Sequence, residues 1–155
     1  MKNVFDIRAA QIMKKPVETV RLLDSVHDVA HLFNENHIGA AAVVDQKGKP
    51  VGVITKTDIV RYLEEKDESR IINKKKYSPK KGKGEIPGFH EIDNEESVQD
   101  WMTPVIFSAQ PETPLNEIAK QMVKNGLHHI FVQGKKDGIL GIISSFDILS
   151  QLSSK

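Results

Sequence analysis

Gly52-Val53-Ile54-Thr55-Lys56-Thr57-Asp58-Ile59 returns 89 residues later as Gly141-Ile142-Ile143-Ser144-Ser145-Phe146-Asp147-Ile148. Both stretches have the same order of glycine, apolar pair, hydroxyl and carboxylate. Residue i aligns with residue i+89 without a gap from Met13/Met102 to Leu63/Leu152. A match of this length at one fixed offset indicates an internal duplication, and the duplication decides the fold.

The size of the chain fits one domain made from two repeats. The chain has 155 residues, and a repeat of roughly 50 to 60 residues would bury too little surface to be stable alone. We therefore expect the two repeats to share one core. With 39% hydrophobic residues, 28% charged residues and 22 basic against 21 acidic side chains, the composition indicates a soluble globular protein without an overall charge bias toward nucleic acid or anionic lipid.

The absence of cysteine excludes several classes of site. There is no cysteine in the chain, so a disulfide framework, a thiolate zinc site and a cysteine nucleophile are excluded. The longest apolar runs, such as Ile38 to Val44, are too short to span a bilayer, and the N-terminus lacks a secretory signal pattern. We predict a cytoplasmic protein.

Each repeat is predicted to form β-α-β-β-α. In the first repeat the elements are a short strand, a helix capped by Asp24 and ended near Asn36, two strands around a glycine turn, and a closing helix that begins at Asp58. The second repeat follows the same order, with Thr113 as helix cap, Pro114 as first helical residue and Asn125-Gly126 as helix stop. The predicted strands are 17–23, 38–44 and 50–54, then 127–132 and 139–143, and the closing helices are 58–66 and 147–152.

A polar connector separates the repeats over residues 66–97. It contains the basic cluster Lys74 to Lys83, which is followed by acidic residues. A loop of this length is commonly functional or disordered. We interpret it as a solvated connector, with phosphate or nucleic-acid binding by the lysines as the alternative.

At this point the chain resembles the cystathionine-β-synthase (CBS) domain, with two repeats forming a Bateman module. The resemblance covers nearly everything except the connector, so that repeat 1 spans 1–65 and repeat 2 spans 98–155. It depends on the two Gly-x-x-Thr/Ser-x-x-Asp segments, on the openings Gln11 to Pro16 and Asp100 to Pro104, and on Gly39 to Asp45. It implies an α+β (α/β) fold with pseudo-twofold symmetry and two clefts that commonly hold adenine nucleotides or related adenosyl ligands.

The chemistry of the repeated motif agrees with a nucleotide ligand. A carboxylate at a helix start, Asp58 or Asp147, can accept hydrogen bonds from both hydroxyls of a ribose, and Thr55 or Ser144 can donate to a phosphate oxygen beside helix-terminal N–H groups. The alternative interpretation is structural, because aspartate is a preferred helix cap.

The resemblance also implies that the two clefts differ. In this family a basic residue before the first central strand often meets the phosphate, and that position is His128 in the second repeat but Gly39 in the first. The alternative for His128 and its neighbour His129 is one packed ring and one solvated ring. A zinc site is not expected, since no third ligand stands at metal spacing.

Carried over residue by residue, each cleft combines parts of both repeats. The first cleft would join Ser144, Asp147 and His128 to the segment Lys15 to Glu18. The second would join Thr55 and Asp58 to Pro104–Phe107. Val17 and Ile106 are candidates for adenine contacts, with the hydrophobic core as the competing interpretation. Lys15 and Lys56 are candidates for additional phosphate contacts. Phe146, in the place of Thr57, is expected to narrow its cleft or to cover the base.

We therefore predict a non-enzymatic regulatory module that binds AMP, ADP, ATP or another adenosyl ligand, with Mg²⁺ accompanying ATP. No catalytic constellation, dinucleotide fingerprint or P-loop is visible. A homodimer and an unidentified regulated partner are implied by the family. The alternatives are a nucleic-acid-associated protein that uses Lys74–Lys83, and a dimerisation scaffold without a ligand.

Overall fold

The computed structural model describes residues 6–76, 96–136 and 138–153, with only the backbone described over 67–76. Both repeats contain the same series of elements, in the order α-β-α-β-β-α. The first repeat consists of α1 (Ala9–Ile12), β1 (Thr19–Arg21), α2 (Val26–Glu35), β2 (Ala40–Val44), β3 (Pro50–Thr55) and α3 (Lys56–Lys76). The second consists of α4 (Val98–Trp101), β4 (Ser108–Ala109), α5 (Leu115–Asn125), β5 (His129–Gln133), β6 (Ile139–Ser144) and α6 (Ser145–Ser153).

Each repeat builds one small mixed sheet. The order is β1-β2-β3 in one sheet and β4-β5-β6 in the other, and in both the first pair is parallel and the second antiparallel. The registers correspond across the duplication, since Ala40 pairs with Thr55 and His129 with Ser144. The predicted β-α-β-β-α order is confirmed, with the addition of a one-turn helix at the start of each repeat.

The expected single core is in fact two hydrophobic clusters, and each contains residues of both repeats. Val98 and Trp101 from α4 belong to the cluster of the first repeat, whereas Ala9 from α1 belongs to the cluster of the second. The helix faces are set by sequence spacing: Val26, Val29 and Phe33 on α2 are buried at helical intervals. Their counterparts on α5 are Leu115, Ile118 and Met122.

The opening segments of the two repeats are exchanged. Lys14 pairs with Ile142 in β6 through reciprocal backbone hydrogen bonds of 2.9 and 3.1 Å, and Thr103 pairs with Val53 in β3 through two of 2.9 Å. Each pair becomes the other when 89 residues are added to one member and subtracted from the other. This reciprocity is what twofold pseudo-symmetry requires, and it brings each opening segment beside the motif of the opposite repeat.

The predicted helix caps are wrong by one residue. Ser25, not Asp24, caps α2 and accepts from the His27 amide, while Asp24 accepts from the Arg21 amide. Pro114 is the cap of α5 rather than its first residue, and the Thr113 hydroxyl accepts from the Gln110 amide. These side chains close turns in front of the helices.

The helix stops are half correct. Gly126 has the left-handed conformation predicted for the end of α5, with φ of 63°. In the first repeat Asn36 is not left-handed; its neighbour His37, which is equivalent to Gly126, has φ of 52°.

The closing helix of the first repeat is longer than predicted. It continues to Lys76, ten residues beyond its predicted end at Lys66, and so runs into the segment that we interpreted as connector. Lys74 to Lys76 of the basic cluster are its last residues, and the rest of the cluster lies outside the described residues.

Candidate functional site

The motif aspartates act first as helix-capping residues. Asp147 Oδ2 accepts from the Ser144 amide at 2.8 Å and from the Ser144 hydroxyl at 2.6 Å. Asp58 Oδ2 accepts from the amide and the hydroxyl of Thr55, both at 2.8 Å. The hydroxyl residue precedes the helix and the aspartate is its third residue, so each motif forms a capping box rather than a simple aspartate cap. The interpretation of each aspartate as a helix-capping residue is thus correct. Capping uses one of the two carboxylate oxygens.

The second carboxylate oxygen faces a cation in both motifs. Asp147 Oδ1 lies 2.8 Å from Lys14 Nζ, and Asp58 Oδ1 lies 3.3 Å from an Arg61 guanidinium nitrogen. The residues Asp58 and Asp147 are only 6% and 8% exposed. Both carboxylates are therefore covered by side chains of the protein itself.

The two cations are held differently. Lys14 comes from the opposite repeat, and its backbone pairs with Ile142 in β6. Arg61 comes from the same helix as Asp58, one turn later, and it also donates to the Trp101 carbonyl at 3.0 Å. Its guanidinium lies 5.7 Å from the centre of the Trp101 ring. The position equivalent to Lys14 is Thr103, so the surroundings of the two motif aspartates differ. The expected difference in phosphate contact between His128 and Gly39 stays a prediction.

Lys14 and Ser144 together lower the pKa of Asp147. Burial acts to raise the pKa of Asp147, but the hydrogen bonds from Lys14 and Ser144 outweigh burial and the pKa is lowered overall. Asp147 is therefore a carboxylate at neutral pH, as a hydrogen-bond acceptor for hydroxyl groups must be.

The neighbouring histidines divide into one exposed and one half-buried ring. His128 is exposed, and its carbonyl accepts from the Ser145 amide at the start of α6. His129 lies against Gly39 of the other repeat, where a Cβ on the glycine would be 3.2 Å from the ring. Burial lowers the pKa of His129, nearby His128 and Lys56 lower it further, and Asp147 opposes the change.

The other predicted site residues lie where a ligand could reach them. Lys15 and Lys56 are exposed, and Val17 and Ile106 are half-buried. Neither Val17 nor Ile106 belongs to the two described core clusters or to the residues packed against them.

Phe146 is 71% exposed on α6. It lies on the face that also carries Leu149 and Leu152, whose spacing of three residues aligns them along one side of the helix.

Sequence reasoning missed three residues at the site, namely Arg61, Lys14 and His129. Arg61 was visible in principle, since an arginine three residues after an aspartate on a helix is an expected ion-pair partner. Lys14 and Lys15 are adjacent, and only the register of the pairing with β6 shows which ammonium reaches Asp147. His128 and His129 pose the same problem, because adjacent residues entering a strand point to opposite faces.

Two open depressions lie on the described surface, and neither is lined by Asp58 or Asp147. One, of about 680 Å³, is lined by Arg61, Glu65, Glu96, Asp100 and Trp101. It adjoins the Asp58 motif only through Arg61. The other, of about 610 Å³, is lined by Arg8, Ala10, Gln11, Pro111 and Glu112. Because the motif carboxylates are covered by Lys14 and Arg61, they do not open into either depression.

Within the described parts of the chain, no group of three or more histidine, aspartate or glutamate side chains is placed to hold a metal ion. Over the same residues, no helix is both long enough and apolar enough to cross a membrane. The cytoplasmic location stays a prediction.

The model of the CBS domain family matches residues 9–65 and 98–154. The chain belongs to the CBS domain family. The two matches correspond to the two repeats, and the chain is a tandem CBS pair.

Several proteins are related in sequence to this CBS pair. The chain is 32% identical over 149 residues to the uncharacterised protein MJ1426 of Methanocaldococcus jannaschii, covering 91% of this chain and 88% of the relative. Other relatives are longer, and the chain spans 42% and 33% of two of them.

The solved structures share the fold at low sequence identity. The CBS domain pair of protein MJ0100, in complex with 5′-methylthioadenosine and S-adenosyl-L-methionine, has a TM-score of 0.72 at 22% identity and covers 95% of this chain and 96% of that one. The CBS domain protein PAE2072 of Pyrobaculum aerophilum, complexed with AMP, has a TM-score of 0.71 at 18% identity and covers 96% of this chain and 100% of its own.

Proposed function

We propose that this CBS pair is a non-enzymatic regulatory module that binds an adenosyl ligand in the clefts between its repeats. AMP, ADP and ATP, the last with Mg²⁺, are the candidate ligands. The observation that carries the proposal is the buried, ionised carboxylate of Asp147. It lies where the opening segment of the first repeat meets the motif of the second. One of its oxygens is fixed by Ser144, and among the described residues the other is held by the exposed Lys14 alone.

The groups around Asp147 suit a ribose and its 5′ substituent. A carboxylate oxygen has two acceptor sites, so Asp147 Oδ1 can accept from ribose hydroxyls while Oδ2 keeps its bonds to Ser144. The first turn of α6 and the exposed His128 are positive or proton-donating groups for a phosphate. Val17, near Lys15 on the opening segment, is the candidate adenine contact.

The second cleft has the same components in another arrangement. Thr55 and Asp58 begin α3, Lys56 is the first helical residue, and Ile106 follows the opening segment of the second repeat. Because Arg61 is fixed to both Asp58 and Trp101, we expect this cleft to bind more weakly than the cleft of Asp147.

The solved structures support the class of ligand. One fold neighbour is a complex with 5′-methylthioadenosine and S-adenosyl-L-methionine, and another is a complex with AMP. These three molecules share an adenosine moiety and differ at the 5′ position. The proposal takes the shared moiety as the common requirement.

A regulatory role follows from the exchanged opening segments. A ligand on Asp147 would touch α6 of one repeat and the opening segment of the other, so its binding free energy depends on how the repeats are placed. A ligand shifts such an equilibrium by its difference in affinity between the two placements. The partner that reads the shift is a protein we do not identify.

A homodimer is the second part of the proposal. Val60 and Leu63 on α3 are each 53% exposed, and their equivalents Leu149 and Leu152 on α6 are 60% and 62% exposed. Phe146 extends the α6 stripe. A second copy offers matching apolar stripes, which is the self-complementarity that a twofold interface requires.

The test is a thermal-shift panel on the whole chain, followed by calorimetry of the best ligand. Adenosine, AMP, ADP, ATP with Mg²⁺, 5′-methylthioadenosine and S-adenosylmethionine are compared with GMP as a non-adenine control. A ligand at 100 times its dissociation constant stabilises the folded state by about 2.7 kcal/mol. A rise in unfolding temperature with adenine compounds and not with GMP is expected; no response to any adenine compound would remove the proposal and leave the scaffold interpretation.

A further inference from the structure

Lys14 is a cation of the Asp147 cleft that has no basic counterpart at the pseudo-symmetric position. Its equivalent, Thr103, makes the same backbone pairing with Val53 that Lys14 makes with Ile142. The backbone is thus the same in both places, and only the side chain differs. An ammonium stands in one cleft where a short hydroxyl stands in the other.

The ammonium of Lys14 is fixed at its base and mobile at its end. The Lys14 backbone is held to β6 by two hydrogen bonds, which fix the point from which the side chain extends. Its side chain is 68% exposed, and Asp147 is its one ionic partner among the described residues. An ammonium has three donors, so two of them remain for another acceptor.

The cation that contacts Asp58 lacks this freedom. Arg61 contacts Asp58, the Trp101 carbonyl and the face of the Trp101 ring together. A side chain held by three contacts to two different elements does not follow a ligand without losing them. Of the two cations that contact the motif carboxylates, Lys14 is therefore the one that can be redirected.

A ligand that takes Asp147 Oδ1 would release Lys14 beside it. If the ligand is neutral or cationic at its 5′ end, the displaced ammonium loses its ionic partner and gains nothing. If the 5′ end carries a phosphate, the ammonium exchanges a carboxylate for a phosphate and the loss is compensated. The same residue thus opposes one class of adenosyl ligand and favours the other.

We propose that Lys14 determines specificity in the Asp147 cleft by selecting adenosyl ligands with an anionic 5′ substituent over neutral or sulfonium ones. This deepens the proposed function and depends on it. It also separates this chain from a fold neighbour complexed with 5′-methylthioadenosine and S-adenosyl-L-methionine, since those ligands are neutral and cationic at the 5′ position.

The experiment compares AMP with 5′-methylthioadenosine by calorimetry on the wild type and on Lys14→Thr, which copies Thr103. Lys49→Thr is the matched control, because it removes the same charge at an exposed, extended position before β3, at the end of the strand away from Thr55. In Lys14→Thr we expect AMP to bind about 3- to 10-fold more weakly at low salt. We expect 5′-methylthioadenosine to bind equally well or more tightly, since the Lys14 ammonium no longer competes with it for Asp147. Raising the salt concentration should weaken AMP binding more in the wild type than in the variant.

The outcomes separate this inference from the proposed function. Opposite or unequal effects on the two ligands, absent in Lys49→Thr, support it. Equal weakening of both ligands means that Lys14 only supports the structure, and equal affinities in wild type and variant mean that it does not contact the ligand; either result overturns the specificity role while the nucleotide-binding function stands. If the wild type binds neither compound, the specificity role falls, and the other adenine compounds of the thermal-shift panel decide the proposed function.

Discussion

Met13 of the first repeat lies against Gly141 of the second so closely that a Cβ on the glycine would be 2.7 Å from the Met13 sulfur. Met102 has the same relationship to Gly52, with the corresponding Cβ 2.9 Å from its sulfur and 2.7 Å from the Thr103 carbonyl oxygen. The glycine of each motif therefore admits the opening segment of the other repeat. The first residue of the motif joins the repeats, and its last residue, the aspartate, receives the ligand in the proposed function.

Substitution of these glycines should destabilise the fold. Gly52→Ala is expected to cost about 1–3 kcal/mol of unfolding free energy, because its Cβ would meet a backbone carbonyl that is held in the pairing with Val53. Gly141→Ala should cost a similar amount, because the new Cβ would lie 2.8 Å from the Met13 Cβ, which cannot move without its backbone. Chemical denaturation measures both. Gly138→Ala is the control, because nothing lies within 4 Å of its Cβ; a loss in Gly138→Ala equal to that in Gly52→Ala would contradict the account.

His129 predicts a loss of stability in mild acid. Burial lowers its pKa in the folded state, so below the unfolded pKa of about 6.5 the unfolded chain binds a proton that the folded chain does not. The contribution of neutral His129 to the free energy of unfolding is fully present above the unfolded pKa. It falls as the pH drops toward the folded pKa. Unfolding free energies measured from pH 7.5 to 5 should decrease, and His129→Gln should flatten the slope. His27→Gln, at an exposed position on α2, is the control, and a slope unchanged by His129→Gln would refute the assignment.

Asp147 predicts a separate loss at lower pH. Its pKa is lowered by Lys14 and Ser144 despite burial, so the ion pair stabilises the folded state above the ordinary aspartate pKa of about 3.9 and is lost as the pH falls through the folded pKa. Lys14→Thr should reduce the fall in stability between about pH 4.5 and pH 2.5. The pair is partly exposed at Lys14, so the effect is small, under about 1 kcal/mol. An unaltered acid limb in the variant would show that the pair does not form in solution.

The apolar stripes of α3 and α6 predict a change of assembly. Leu149→Glu and Val60→Glu should shift the chain toward the monomer, because each places a charge in the proposed interface. Sedimentation velocity at two concentrations measures the shift. Val123→Glu is the matched control on α5, since Val123 is 84% exposed but lies outside both stripes. A wild type that sediments as a monomer throughout would exclude the dimer.

The repeat made most of the fold predictable. The helix faces of Val26, Val29 and Phe33, the paired strands and the place of each motif all follow from period and offset. Cap positions failed by one residue, since Asp24 and Ser25 are both good caps and local turn bonding decides between them. The predicted length of α3 was also wrong, because residues 67–76 are polar except for the adjacent Ile71 and Ile72 and so carry no apolar periodicity.

The site was predictable as a pattern and not as a set of contacts. The motif located Ser144, Asp147, Thr55 and Asp58, and the resemblance placed the opening segments beside them. Which of Lys14 and Lys15 reaches Asp147, and which of His128 and His129 packs between the repeats, depends on strand register. Register is set by tertiary pairing with Ile142 and Ser144, which a single sequence does not display.

The most direct test of the central claim is calorimetric titration of AMP into Asp147→Asn, with Asp100→Asn as control. Asp100 forms a capping box with Ser97 on α4, so its variant reproduces the capping change at another helix. We predict that AMP binds the Asp100 variant within about twofold of the wild type, and the Asp147 variant about 10- to 100-fold more weakly, since a charged acceptor for the ribose is lost. Equal AMP affinity in the wild type and in Asp147→Asn would contradict the account.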